Sequence, residues 1–405
     1  MELGWTPQAQ AGESPVLVVG ASTAGLVAAI RLREEGIGVR IIDAQTGESG
    51  HSCPCVLHPR TLRMLSSLGV AAALEWRGHD LTHLTIYTEG RRRARLELPA
   101  AGEVARGALT LPQDILRQAL LRRLSELGTD VEWQTRLVEL HQDATHVRAG
   151  LMRSARLEPG CPQCECGFVD LASEAVHARF VIGADGATSA VRDALGTEWI
   201  RRGNRQFYVF FEVKDERAGN EAMLVMHDGL GSSVYPFQND VLRFGFQVGD
   251  PPAQPDASQL RQLLASRMPW YPLEPTRLEW RGHVELNPGV AAAFGTGRVF
   301  LVGEAGHSTG LLGGHSLNVG MFEANELALR MTQQLARPRP VPLAVRYGEQ
   351  RSLEWDRLFR LFPSIPATGH AQDWVQRNIT AMLPHLPASG DELDDLLDQL
   401  HVAAA

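Results

Sequence analysis

Residues 15–43, PVLVVGASTAGLVAAIRLREEGIGVRIID, decide how the chain is read. The apolar run from Pro15 to Val19 ends in Gly20, as a strand buried on both faces does where a helix must follow. Leu26, Ile30 and Leu32 lie on the apolar side of a helix predicted over 23–36, and Gly38 to Asp43 reads as a second strand. Strand, helix and strand within about 30 residues form a βαβ unit, the beginning of a parallel sheet.

The turn inside that unit is Gly20-Ala21-Ser22-Thr23-Ala24-Gly25. A dinucleotide fingerprint wants glycine at its first, third and sixth positions, and Ser22 replaces the middle one. Gly20 makes the tight turn, Gly25 lets helix and strand approach, and Ser22 is small enough to sit near a pyrophosphate and donate to it. Asp43 ends the second strand roughly twenty residues on, where an acid accepts from ribose hydroxyls. Gly20, Ser22, Ala24, Gly25 and Asp43 are therefore candidate nucleotide contacts. The alternative is a non-binding glycine turn in an α/β fold.

Outward from this unit, a helix is predicted at about 59–69, strands near 82–87 and 93–98, and a strong helix opened by Pro112. Strands resume over about 131–184. From Phe207 to Val248 the pattern changes to alternating, aromatic-rich strands, which suggests an inserted sheet. A buried strand returns at 298–303, a long helix follows at about 314–335, and 341–405 is mostly helical with proline breaks. The predicted fold class is α/β: a Rossmann-like domain interrupted by a mainly antiparallel sheet, with a helical C-terminal region. The predicted division assigns 13–80, 108–197 and 286–345 to the nucleotide domain, 81–107 and 198–285 to the sheet domain, and 346–405 to the C-terminal region.

Composition removes several classes of function. A net charge of −8 over 405 residues argues against nucleic acid as a partner. Arg91, Arg92, Arg93 and Arg95 form the one tight basic run, read as a solvated strand-turn or an anion-steering patch. Lys214 is the only lysine, which disfavours Schiff-base chemistry and a Walker-type phosphate loop. No apolar stretch is long enough to span a bilayer and the polar N-terminus carries no signal-peptide core, so a cytoplasmic protein with no membrane span is expected.

Two further segments carry a resemblance. FVIGADGATSAVRDALG, at 180–196, resembles the Asp-Gly motif of flavin-dependent aromatic hydroxylases, the class A flavoprotein monooxygenases, through Gly183, Asp185, Gly186, Ser189, Val191 and Arg192. RVFLVGEAGHSTGLLGGHSLNVGM, at 298–321, is similar to that family's Gly-Asp motif. LHPRTLRMLSSLGV at 57–70, LPQDILRQALLRRL at 111–124, and Tyr347 with Arg351 extend the likeness over most of the chain.

The resemblance implies FAD as cofactor and NAD(P)H as reductant. Asp185, Gly186 and Arg192 would pack near the flavin and its pyrophosphate, and Gln113 would contact the flavin. Gly303 and Glu304 would meet the ribityl chain. Leu312, Gly313, Gly314, Leu317 and Asn318 would form a helix start whose amides face the cofactor, as helix N-termini suit anions. It further implies hydroxylation of an aromatic or other electron-rich apolar small molecule, bound between the flavin and the inserted sheet, by a monomer or homodimer. Tyr208, Phe210, Tyr235, Phe237, Phe244 and Phe246 come from that sheet, and alternation allows only same-parity pairs to share a face.

The chain also departs from the family pattern. Glu304 stands where aspartate is usual, Gly310 and Leu311 replace a proline pair, His315 and Ser316 replace glutamine and glycine, and Cys53 sits about where an arginine contacts FAD. These changes keep two alternatives open: a flavin-dependent reductase or dehydrogenase of a lipophilic substrate, and a non-catalytic flavin-binding protein.

His307 and His315 flank the glycine-rich turn and are candidate proton donors or acceptors, or simply fill its non-glycine positions. Cys53, near Cys55, is a candidate redox-active or nucleophilic thiol, or a small half-buried side chain. No metal site is expected. Cys161, Cys164 and Cys166 have spacing that can hold zinc but lack an adjacent fourth ligand.

Overall fold

The computed structural model describes residues 14–47, 54–99, 107–156, 168–250, 254–272, 277–309, 314–336, 343–364 and 371–402. Cys53, Cys161, Cys164, Cys166, Gly310, Leu311, Leu312 and Gly313 lie outside the described residues.

The opening βαβ unit forms as read. Strand Ser14–Val19 runs parallel to Val39–Ile42 on one side and to Phe168–Gly183 on the other. Val131–Glu132 and Val299–Leu301 extend the parallel array at either edge. Thr135–Gln142 and Val147–Arg156 fold back as an antiparallel meander on the long Phe168–Gly183 strand. Helix α1 (Thr23–Glu34) covers the array. Nearly all of its residues from Thr23 to Leu32 are buried, because the sheet lies on one side and further helices on the other.

Helices α2 (Pro59–Ser67), α3 (Ala71–Glu75) and α4 (Gln113–Glu126) follow, and Pro112 proves to be the N-cap of α4 rather than its first residue. Next come α5 (Ala190–Ala194), α6 (Ala257–Arg267) and the long α7 (His315–Ala336). Helix α7 packs on α1, and α1 on α4, so three helices share one core with the parallel sheet. The C-terminal region is helical as expected: α8 (Leu343–Ser364), α9 (Asp373–Met382) and α10 (Asp391–Gln399).

The second large sheet has seven described strands, in the order Trp280–Leu286, Gln206–Lys214, Val241–Val248, Leu230–Phe237, Glu221–His227, His83–Thr88 and Arg91–Glu97. Every pairing is antiparallel except that of Glu221–His227 with His83–Thr88. Its register sorts the six aromatics. Tyr208 pairs with Gln247, Phe210 with Gly245, Glu212 with Arg243, and Arg243 in turn with Tyr235. Tyr208, Phe210, Tyr235 and Phe237 therefore share the inner face, whereas Phe244 and Phe246 point outward to pack with Leu260 and Leu264 of α6. Arg91 to Glu97 form an edge strand whose charges face water, a common way of blunting an unpaired edge.

The C-terminal helices join the two sheets. Trp374, Ile379 and Met382 of α9, Leu386 after it, and Leu393, Leu396 and Leu397 of α10 form one core with Leu224, Met226 and Tyr235 of the inner face. Glu392 of α10 accepts from the Arg60 amide at 3.1 Å and from Arg63 at 2.6 Å, both on α2.

Candidate cofactor site

The three motifs converge on one place. A Cβ at Gly20 would lie 2.3 Å from the Ala184 carbonyl oxygen and 2.7 Å from the Asp185 Cα, so the first turn rests directly on the second motif. Gly20 also has φ +103, a conformation open to glycine. A Cβ on Gly303 would meet the Ala24 side chain at 3.1 Å, and one on Gly320 would approach the Gly303 Cα to 2.8 Å. The third motif is thus wedged between α1 and α7, and Ala24 packs against it.

At the first motif, Ser22 is the N-cap of α1, and its hydroxyl oxygen accepts from the Gly25 amide at 3.3 Å. Its φ of −65° is ordinary, which explains why a serine is tolerated at the fingerprint's middle position. The remaining first-turn amides have no intrahelical partner and form an anion-binding helix start. Asp43 is half-buried and already engaged: Oδ2 accepts from the Ala21 amide at 2.7 Å and Oδ1 from the Gln45 amide at 2.7 Å. The acid expected to serve only a ribose also clamps the glycine turn.

At the second motif, Asp185 accepts from the Ser189 hydroxyl at 2.5 Å and from the Val191 amide at 3.1 Å. Burial raises its carboxyl above the usual range, and these hydrogen bonds oppose the shift. Gly186 has φ +80 and open space where a Cβ would stand. Arg192 differs from expectation: it is 8% exposed, donates to the carbonyls of Ala305 (3.2 Å) and Ala187 (2.7 Å), and lies over the Trp199 ring. Its guanidinium ties the second motif to the third, which makes it a positioning residue.

At the third motif, Glu304 is crowded by protein while its side chain stays exposed. Desolvation by the surrounding protein raises its carboxyl, and His307 opposes the shift. Gly314 has φ +70, and a Cβ there would lie 3.0 Å from the Val56 carbonyl oxygen. Asn318 is 1% exposed; it accepts from the His58 amide at 2.8 Å and donates to the carbonyls of Val56 (2.7 Å) and Gly314 (2.8 Å). Its side chain pins the 54–58 strap to the start of α7. Leu317 and Gln113 are half-buried at the first turns of α7 and α4. Ser316, in a glycine position, accepts from the Thr309 amide at 2.8 Å and bonds the Thr309 hydroxyl at 2.8 Å, closing the turn between them.

Neither candidate histidine is a solvent-facing proton carrier. His307 is fully buried, with Nε2 2.8 Å from Glu323 Oε2 and its ring stacked on Trp355 at 3.8 Å. Burial alone would raise the Glu323 carboxyl, but His307, Arg351 and the 2.6 Å bond from Trp355 Nε1 outweigh it and hold it below the ordinary range. Tyr347 donates to the Leu301 carbonyl at 3.1 Å, so α8 braces the strand that carries the third motif. The sequence showed Tyr347 and Arg351 as pattern matches only. Glu323, sixteen residues beyond His307, and Trp355, further on, left no local signal.

His315 is buried where α7, the 54–58 strap and the C-terminal region meet. It lies edge-on to His58 at 5.4 Å, and His58 Nδ1 is 3.0 Å from the Ser389 hydroxyl. Burial pushes His315 down to about 4, partly offset by the backbone at Leu386 and Leu383; burial and His315 push His385 to about 3. Cys55 is buried on the same strap. Among the described residues, no cluster of histidine, cysteine and acidic side chains is arranged to hold a metal, and no helix is long and apolar enough to cross a membrane.

The donor set fits FAD: glycine cradles at the first and third motifs, helix starts at α1 and α7, and carboxylates at Asp43, Asp185 and Glu304. Comparison with known proteins agrees. The profile of the FAD binding domain family matches residues 13–359. The 6-methylpretetramide 4-monooxygenase of Streptomyces rimosus is 28% identical over 328 residues, covering 78% of this chain and 55% of the relative. Pentachlorophenol 4-monooxygenase of Sphingobium chlorophenolicum is 25% identical, covering 80% of this chain and 59% of the relative. The chain thus spans little more than half the length of these two relatives. The crystal structure of p-nitrophenol 4-monooxygenase from Pseudomonas putida DLL-E4 shares the fold, with a TM-score of 0.71 at 20% identity, covering 96% of this chain and 98% of that one.

Proposed function

This chain belongs to the FAD binding domain family, and from that premise we propose that it is an FAD-dependent monooxygenase. It hydroxylates an aromatic or other electron-rich apolar small molecule with NAD(P)H and O2. The observation that carries the reading is the convergence of the three motifs on one another, Gly20 resting on Ala184 and Asp185, and Gly303 on Ala24 and Gly320. The relatives' names, each a monooxygenase of an aromatic compound, point the same way. A monomer or homodimer in the cytoplasm belongs to the same reading.

When bound, FAD supplies the electron transfer and the oxygen activation. The protein's part is to hold and orient. The first-turn amides of α1 would hold the pyrophosphate, Asp43 keeps that turn closed through the Ala21 amide, and Glu304 would accept from ribityl hydroxyls. Gln113 and the start of α7 would hold the ring system. Tyr208 and Phe210, each 1% exposed, would give the site an apolar side that keeps water out.

The test is purification, an absorption spectrum and NAD(P)H oxidation with a panel of aromatic compounds, with and without oxygen, followed by product mass. A flavin spectrum with a product heavier by one oxygen atom supports the reading. Turnover without oxygen insertion replaces it with a reductase, and a protein that takes up no FAD ends it.

A further inference from the structure

Glu304 stands on a turn too short to hold itself. Gly303–Ala305 is a single 3-10 turn, closed by the Gly306 amide donating to the Gly303 carbonyl at 2.8 Å. One isolated helical turn fixes three residues for very few hydrogen bonds and is unfavourable alone, so its neighbours decide where the Glu304 side chain stands.

Supports come three residues before Glu304 and three residues after it. Before it, the Tyr347 hydroxyl donates to the Leu301 carbonyl at 3.1 Å. After it, His307 is fully buried, with Nε2 2.8 Å from Glu323 Oε2 and its ring on the Trp355 ring at 3.8 Å and 24°. Tyr347, Arg351 and Trp355 recur every four residues along α8, so one face of that helix serves both supports.

The arrangement around His307 fixes a direction as well as a position. Glu323 uses its two oxygens separately: Oε2 meets His307, and Oε1 accepts from Trp355 Nε1 at 2.6 Å. Trp355 therefore holds the imidazole twice, by its face and through the acid. Arg351 Nη1 lies 3.8 Å from the same acid, and Arg351 is anchored by Glu326 and Glu354, each at 2.9 Å. Among the described residues His307 Nδ1 is buried without a partner, which leaves Glu323 to orient the ring. A Cβ on Gly320 would lie 3.6 Å from the His307 Cε1, and its absence leaves the ring room. An apolar packing of the same volume would join α7 to α8 at least as firmly, but it would not aim one ring. His307 is also the group that opposes the upward shift of the Glu304 carboxyl, so the two side chains act on one another directly.

We propose that Glu323 and Trp355 are positioning residues for the cofactor acid: through His307 they set where the Glu304 carboxylate stands, and thereby the affinity for FAD. This deepens the monooxygenase reading and rests on it for Glu304 as the acid that meets FAD, but its readout needs no turnover.

The test is a double-mutant cycle read by equilibrium dialysis of FAD against the apo-protein, with a thermal melt of each variant. Glu323→Gln, which keeps the shape and removes the charge, is expected to weaken FAD about three- to thirty-fold, within the range for residues coupled in one hydrogen-bond network. Trp355→Phe, which keeps the stacked face and loses the N–H, should weaken it by a smaller factor and serves alone if Glu323→Gln does not fold. In a Glu304→Ala background each substitution should change FAD affinity by less than about two-fold, because the carboxylate it places is gone.

A role in general packing would weaken FAD by the same factor in both backgrounds, and that result overturns the proposal. So does wild-type affinity in both Glu323→Gln and Trp355→Phe. Unchanged affinity in Glu304→Ala removes this inference alone, since the protein still binds FAD and the monooxygenase reading stands. No uptake of FAD by the wild-type protein ends both.

Discussion

The Asp43 Oδ2 accepts a hydrogen bond from the Ala21 amide at 2.7 Å, so the acid ending the second strand is fastened to the turn that opens the first helix. A ribose ligand alone would affect only the loaded protein, whereas this clamp also acts without cofactor. Asp43→Ala is expected to destabilise the apo-protein by about 1–3 kcal/mol, the cost of leaving partly buried donors unpaired. Thermal melts of the apo-protein check this, and an unchanged melting temperature would show that the clamp adds nothing.

The contact between the Gly320 and Gly303 backbones makes a second site of high sensitivity. Gly320→Ala would place a Cβ 2.8 Å from the Gly303 Cα, in a helix that has no slack because α7 packs on α1. A loss of about 1–3 kcal/mol in stability is expected, as for overpacked cores, with FAD affinity falling alongside. Denaturant titration and equilibrium dialysis measure the two effects.

Glu304 should report on the ribityl chain. Glu304→Ala is expected to weaken FAD by about 1.5–3 kcal/mol and Glu304→Asp to be nearly neutral. An alanine variant with unchanged FAD affinity would detach the third motif from the cofactor.

The buried histidines set an acid limit. His315 and His385 have folded values near 4 and 3 against 6.5 for an ordinary histidine, so between those limits the unfolded chain binds more protons than the folded one. The stability they contribute is complete above about pH 6.5 and declines as pH falls, by up to about 1.4 kcal/mol per pH unit for each. Melting temperature should begin to drop near pH 6, before most carboxylates titrate. Replacing His315 by Gln should flatten part of that slope, and a wild-type curve level from pH 7 to 5 would refute the assignment.

Much of the cofactor fold was legible because its signals are local. Strand-turn-helix spacing placed Gly20, Gly25 and Asp43, and alternation correctly split the sheet aromatics into same-parity pairs. What stayed hidden depends on partners distant in sequence. His307 looked like a proton carrier until Glu323 and Trp355 were seen to enclose it, and Arg192 and Asn318 looked like ligand contacts before their backbone partners were visible. Ser316 looked like damage to a glycine turn, yet its hydroxyl closes that turn onto Thr309. A hydroxyl's usefulness depends on a neighbour seven residues back, which no spacing rule supplies.

Because α9 and α10 are embedded in the second sheet's inner core while Glu392 grips α2 beside the first, the last thirty or so residues work as a keel between the two halves. Among the described residues this keel resists a hinge, since opening one half from the other would break the Glu392 bonds to α2 or strip apolar side chains from the second sheet. Admission of a small molecule then falls to short segments and individual side chains around the cleft. Traffic through such a site is governed by how often those small parts swing aside, with the framework standing still.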